Sequence, residues 1–148
     1  MIHCKVENGG RIPVKSYEGS VGYDIFSNEV ITIPKGKRSL VSTGFSINMK
    51  DSDLKNIYFR VAPRSGLSVK GFDIGAGVID PDYTGEIKVL FINNSEEDYT
   101  IQRYDRIAQL IPECVYMGAI EFCPQDKLTD TSRGDKGFGS SGKWNKKY

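Results

Sequence analysis

Between Val41 and Met49 the chain alternates with a period of two. Val41, Thr43, Phe45, Ile47 and Met49 are separated by Ser42, Gly44, Ser46 and Asn48. Successive side chains of an extended backbone point to opposite faces, so this stretch buries one face as a half-buried strand. The alternation returns at Ile57, Phe59 and Val61, with Tyr58 and Arg60 on the other face. Shorter runs at Val30 to Ile33, Glu86 to Ile92, Tyr99 to Gln102, Asp105 to Ile111 and Cys114 to Phe122 read as further strands. Turn residues cut between them at Asn8-Gly9-Gly10, Pro34-Lys35-Gly36, Asp51-Ser52-Asp53 and Pro112. Many short strands, with at most one short helix, predict an all-β, jelly-roll-like barrel or sandwich.

The chain has 148 residues, enough for one domain that buries about 68–70% of its unfolded surface and needs no staples. Its 20 basic and 19 acidic residues leave a net charge of +1, so no global field points to nucleic acid or to a membrane. The three cysteines, Cys4, Cys114 and Cys123, lack the close spacing of a metal pair, and their odd count reads as reduced thiols inside a cell, in cytoplasm or nucleus. His3 is the single histidine, which argues against histidine-centred chemistry. A signal peptide, a transmembrane run and an internal repeat are not expected.

Gly75 to Asn93 is predicted to form a hairpin around a polar turn. Pro81 presets the turn dihedral and Asp80 and Asp82 bracket it. Gly75, Gly77 and Gly85 allow close approach of a backbone or a ligand. An acid and Tyr83 thus stand at the mouth of a glycine-lined throat, which is equally the outline of an ordinary tight hairpin. In Ala62 to Gly71, Pro63 stops a strand and Ser65 is placed to cap a helical turn from Gly66. Free N–H groups there, with the donor fork of Arg64 beside them, suit an anion such as phosphate. A capped turn with a surface arginine is the plainer alternative. Asp24 is a lone acid among apolar neighbours, and Gln109 is the odd polar residue in DRIAQLI, needing a backbone or ligand partner.

The β domain is expected over residues 1–124. From Gln125 to Tyr148 no apolar period remains, and the composition is that of a mobile C-terminal arm. Arg133 to Lys143, RGDKGFGSSGK, sets Phe138 among Gly134, Gly137, Gly139 and Gly142, a backbone able to form an anion nest. Matches here to the dinucleotide and phosphate-loop fingerprints lack a preceding strand and a following helix, and Trp144 stands where the latter needs Ser or Thr.

Five stretches stand in order: GYDIFS (22–27), APRSGLSVKG (62–71), GAGVIDPDYTGEIKV (75–89), RYDRIAQLI (103–111) and RGDKGFGSSG (133–142). In this order and spacing they resemble the five motifs of the homotrimeric dUTPases. Three departures stand out. Tyr104 replaces the glycine usual before Asp105, Lys88 stands where some members have glycine, and Ser141 replaces a usual threonine.

The resemblance implies a jelly-roll subunit in a homotrimer whose active sites are shared between subunits. It implies hydrolysis of dUTP to dUMP and pyrophosphate, which limits uracil in DNA and supplies dUMP for thymidylate. By the same resemblance Asp80 is the general base, and Asp24 holds Mg2+ through water. Gly77, Val78, Ile79 and the backbone of Lys88 read uracil, while Tyr83 packs on the deoxyribose. Arg64, Ser65, Gly66 and Gln109 hold phosphate. Arg133 clamps the γ-phosphate, and Phe138 and Gly139 close over the nucleotide. Two rivals share the fold. A dCTP deaminase would lack the Phe138 arm, and a regulatory trimer would bind nucleotide without turnover.

Overall fold

The structure is a computed structural model that describes residues 2–49, 56–124 and 129–137. The chain divides into two units, Met1–Met117 and Gly118–Tyr148.

In chain order the first unit carries β1 (His3–Val6), β2 (Tyr23–Phe26), β3 (Ile31–Ile33), β4 (Arg38–Val41), β5 (Phe45–Asn48), β6 (Ile57–Ala62), α1 (Ser65–Ser68), β7 (Phe72–Gly75), β8 (Val78–Ile79), β9 (Val89–Asn93), β10 (Tyr99–Ile101) and β11 (Arg106–Cys114). The largest sheet runs β2-β11-β6-β8, a second runs β4-β9-β7, and β1-β5 and β10-β3 pair as two-stranded sheets. Neighbours pair antiparallel throughout. Most partners are distant in sequence, as the wrapping of a jelly-roll-like fold requires. The expected all-β class and single short helix are what the described residues show. No helix among them is long and apolar enough to cross a membrane.

The apolar sides of these sheets meet in one core. Ile25, Ile33, Val41, Val89, Phe91, Ile101 and Ala108 are wholly buried, and Phe45, Ile87 and Ile107 nearly so. Each such large side chain contributes about 1.5–3 kcal/mol through burial. Phe72, Phe91 and Tyr99 cluster with ring centroids 4.2–5.9 Å apart.

Several sequence expectations are corrected. The alternation from Val41 to Met49 keeps its inward face, with Val41, Thr43, Phe45, Ile47 and Met49 all buried, but it is two strands in two sheets. The break lies at Gly44, where φ is +68°, a conformation that costs glycine little. In the predicted hairpin, β7 and β9 pair as far as Gly75 opposite Leu90. Beyond that the arms part, and β8 pairs with β6 instead. The Gly77 to Ile79 segment therefore has no ladder with residue 88. Pro112 does not end a strand. The β2 pairing stops at Leu110, leaving that side of β11 open, where a residue without N–H is tolerated. The strand expected from Cys114 to Phe122 is absent because β11 ends at Cys114, and residues 115–122 are in no strand. Finally, β1 forms where no strand is expected from the sequence. Its residues are all exposed, and only pairing with β5 makes it a strand.

In the second unit the described residues include a turn. The Gly134 N–H donates to the Thr131 carbonyl at 3.0 Å, and the Lys136 N–H to the Arg133 carbonyl at 3.1 Å.

Candidate active site

The register of the large sheet assembles the first cluster. Gln109 of β11 lies opposite Asp24 of β2 on one side and Ala62 of β6 on the other. Cross-strand partners share a face, so one row brings together an acid, an amide and the exit of β6. The chain leaves β6 through Pro63 and turns at once into α1. Arg64 is the N-cap, with extended backbone, and no side chain caps the turn. Ser65 is therefore the first helical residue and not the cap that the sequence suggested. Its N–H and that of Gly66 lie in the first turn, where no intrahelical acceptor exists.

These residues line a cavity of about 360 Å3, formed by Asp24, Arg64, Ser65, Gly66 and Gln109 with Leu67 and Lys70. Asp24 is buried, 7% exposed. Its carboxylate lies 2.9 Å from Arg64 Nε and 3.5 Å from Arg106 Nε, and it accepts the Ser16 hydroxyl at 2.6 Å. Arg64 also donates to the Arg106 carbonyl at 3.2 Å, which aims its guanidinium along the rim. Gln109 Nε2 donates to the Pro63 carbonyl at 2.9 Å, a backbone partner for the half-buried amide.

A cation would find one carboxylate here. No group of three or more His, Cys, Asp or Glu gathers among the described residues. A carboxylate offers about four acceptor positions, and Asp24 spends one on the Ser16 hydroxyl while two guanidinium groups face it. One position suits a metal-bound water, which fits a hydrated hard ion such as Mg2+ and not an ion caged by protein oxygens.

The second cluster lies around β8. Val78, Ile79, Asp80, Tyr83 and Lys88, with Leu40 and Glu86, line a cavity of about 260 Å3. A turn follows β8, in which the Tyr83 N–H donates to the Asp80 carbonyl at 3.1 Å. It leaves Asp80 exposed at the cavity. The Tyr83 hydroxyl donates to the Glu86 carbonyl at 2.9 Å, and the residue is 45% exposed. Gly77 adopts φ +105°, and a Cβ there would lie 2.4 Å from the Val61 carbonyl oxygen. The Gly77 carbonyl accepts the Val61 N–H at 2.7 Å, so the bare backbone beside the cavity is locked to β6. The preceding Ala76 has φ +56°, unusual for a residue with Cβ. Such strain persists where surrounding structure enforces it and collects at ligand sites.

On sequence alone Glu86 has no site role of its own. Its Oε1 accepts the Ser42 hydroxyl at 2.5 Å, the Gly44 N–H at 2.9 Å and the Thr43 N–H at 3.1 Å. Burial works against its charge, but these bonds outweigh burial and, with Lys88, hold its carboxyl below the ordinary glutamate range. Lys70, Leu40 and Arg106 also went unread as site residues. A period or a motif does not reveal which side chains a turn gathers.

Arg133 lies in the exposed turn of the second unit, its Nε donating to the Lys136 carbonyl at 3.0 Å. Phe138 and Gly139 lie outside the described residues.

The sequence profile of the dUTPase family matches residues 8–142. This chain belongs to the dUTPase family. The deoxyuridine 5'-triphosphate nucleotidohydrolase of vaccinia virus (strain Copenhagen) is 46% identical over 138 residues, covering 93% of this chain and 90% of the viral one. That of Candida albicans is 47% identical over 135 residues, covering 90% of this chain and 82% of its own. The fold is that of the Staphylococcus bacteriophage 80alpha dUTPase solved with dUPNHPP, at a TM-score of 0.86 and 23% identity over 96% of this chain and 98% of that one. A mutant dUTPase from phage phi11 of S. aureus, solved with a structural Mg(II) ion, has a TM-score of 0.77 and 18% identity over 86% of this chain and 99% of that one.

Tyr104 stands where the resemblance to dUTPases leads one to expect glycine. Tyr104 adopts φ +71°, the region that suits glycine. Its ring carries Arg11 at 3.9 Å and Arg103 at 4.9 Å from the centroid, and its hydroxyl donates to the Gly9 carbonyl at 3.1 Å. Ring contacts thus accompany a backbone conformation that suits glycine. Lys88, at the second departure, lies 3.7 Å from Glu86 Oε2.

Proposed function

We propose that this dUTPase hydrolyses dUTP to dUMP and pyrophosphate, in a homotrimer where the two cavities of neighbouring subunits face one another. The supporting observation is the division of motif residues between the cavities. One gathers Asp24, Arg64, Ser65, Gly66 and Gln109, and the other Val78, Ile79, Asp80, Tyr83 and Lys88. The first has the donors for a triphosphate, and the second has the walls for a nucleoside.

In the nucleoside cavity the Gly77 to Ile79 backbone and that of Lys88 pair with uracil. Donors and acceptors left unpaired by the wrong base reject it by about 10⁴–10⁵. The Tyr83 ring packs on the deoxyribose and leaves no space for a 2′-hydroxyl. Asp80 orients a water in line with the α-phosphorus and takes its proton, a contribution of roughly 10²–10⁴-fold. In the anion cavity the Arg64 fork and the Ser65 and Gly66 N–H groups bind phosphate oxygens, and Gln109 contacts the α-phosphate. Mg2+, held through water by Asp24, would neutralise phosphate charge when bound. Residues 125–148 form the arm, in which Arg133 binds the γ-phosphate while Phe138 and Gly139 cover the base, excluding water other than the nucleophile.

The test is pyrophosphate release with Mg2+ from dUTP, dCTP, TTP and UTP in parallel. Release from dUTP alone is expected. Release from several nucleotides would overturn the account of specificity. Binding of dUTP without release would overturn the reaction.

A further inference from the structure

Glu86 performs a task that neither the motifs nor the reaction assign. Its carboxylate crosses from the turn after β8 to the link between β4 and β5. One oxygen, Oε1, takes three donors there, from Ser42, Thr43 and Gly44. Two of these are backbone N–H groups, and Thr43 is wholly buried. The Thr43 hydroxyl in turn donates to the Ile87 carbonyl, and the Ile87 N–H donates to the Phe45 carbonyl at 2.9 Å. The backbone of Glu86 meanwhile accepts the Tyr83 hydroxyl. One residue therefore joins the tyrosine of the nucleoside cavity to the wall of the barrel.

The charged neighbours of this carboxylate are few. Lys88 faces it at 3.7 Å. On its other side a recess of about 250 Å3 includes Lys5 and Glu7, which pair with each other. The glutamate is thus held chiefly by the three donors of residues 42–44. Charge-assisted bonds to backbone N–H groups are about twice as strong as neutral ones. A ring that must exclude a single hydroxyl needs such a fixed support, because small displacements of binding groups carry large kinetic costs.

We propose that Glu86 is the positioning residue of the nucleoside cavity, fastening the Asp80–Glu86 turn to the Ser42–Gly44 link so that Tyr83 is set against the sugar before nucleotide arrives. The inference rests on the reading of this cavity as the deoxyuridine site.

The test compares wild type, E86A, E86Q and S42A by thermal midpoint and by kcat and KM on dUTP and on UTP. For E86A, kcat/KM on dUTP is expected to fall roughly 10–100-fold, with KM rising and the preference for dUTP over UTP shrinking at least about tenfold. E86Q keeps an oxygen acceptor and should restore the preference to near the wild-type value. S42A removes one donor and should shrink the preference by a smaller factor, which keeps the test open if E86A fails to fold. A lower thermal midpoint with an unchanged dUTP preference in E86A and S42A would overturn the proposal, leaving Glu86 a structural tie. Equal loss in E86Q and E86A would also overturn it, because an acceptor kept in place would then not hold the turn. A wild type that turns over neither nucleotide would overturn the reading beneath it, and that result is distinct from any variant's.

Discussion

Asp80 and Tyr104 show how single side chains acquire roles from their backbone setting. Asp80 follows β8 and is exposed at its cavity, with its carbonyl engaged by the turn and its carboxylate open to the cavity. Asp80→Asn should retain dUTP binding and lose turnover by roughly 10²–10⁴-fold, as single-turnover kinetics beside equilibrium binding would show. Tyr104 carries about 1–3 kcal/mol of strain at positive φ. Its ring and hydroxyl contacts offset part of this, at about 0.5–2 kcal/mol for a cation on an aromatic face. Tyr104→Ala keeps the strain and loses the contacts, so its melting temperature should fall below that of Tyr104→Gly, which loses both. The reverse order would remove the strain argument. Glu86 has its folded-state pKa below the ordinary glutamate value of 4.5. Its stabilisation is therefore complete above that pH and is lost as pH falls through the lower folded value. The difference in melting temperature between wild type and E86Q should shrink as pH is lowered below about 4.5.

At the scale of elements, the strand pattern was legible where burial follows a period. Phe59 and Val61 face the core as their alternation requires, and so do Phe45 and Ile47. What alternation does not carry is partner choice. Nothing in Val78 and Ile79 tells that they pair with β6 and not with β9, because the bonds are backbone bonds and every residue has them. The same holds for β1, which lacks an apolar face. The β6–β8 junction also leaves no room for an added side chain. Gly77→Ala places a Cβ 2.4 Å from the Val61 carbonyl oxygen at a φ of +105°. That should part β8 from β6, lower the melting temperature and abolish dUTP binding together. Normal binding by a folded Gly77→Ala protein would show that the cavity does not depend on this pairing.

For the whole molecule, the two cavities belong to one chain, yet the proposed reaction needs them to face each other across subunits. Large apolar side chains are left exposed, among them Tyr17 at 80%, Val69 at 90% and Val78 at 63% in the first unit, and Ile120 at 99% in the second. In the proposed trimer such side chains would be available for contact between subunits. Sedimentation at about three times 16.5 kDa is expected. Truncation after Gln125 should leave a trimer that folds with little activity, because Arg133, Phe138 and Gly139 go with the arm. Full activity in the truncated protein would refute the closing role.

The all-β class, the inward face of the alternating strands, the family and most of the residues lining both cavities were legible in the chain before folding. These depend on side-chain period and on motif order, which are properties of the chain alone. Packing of the whole chain set the rest: that the Val41–Met49 alternation serves two sheets, that β8 joins β6, that Arg64 rather than Ser65 stands at the N-cap position of α1, and that Glu86 ties the Tyr83 turn to residues 42–44. Each is a contact between segments far apart in sequence, made largely by backbone groups or by one side chain reaching a distant N–H, or, at α1, a cap set by where β6 releases the chain. Such contacts are selected by how the whole chain packs, and the local pattern at either end carries no record of the partner.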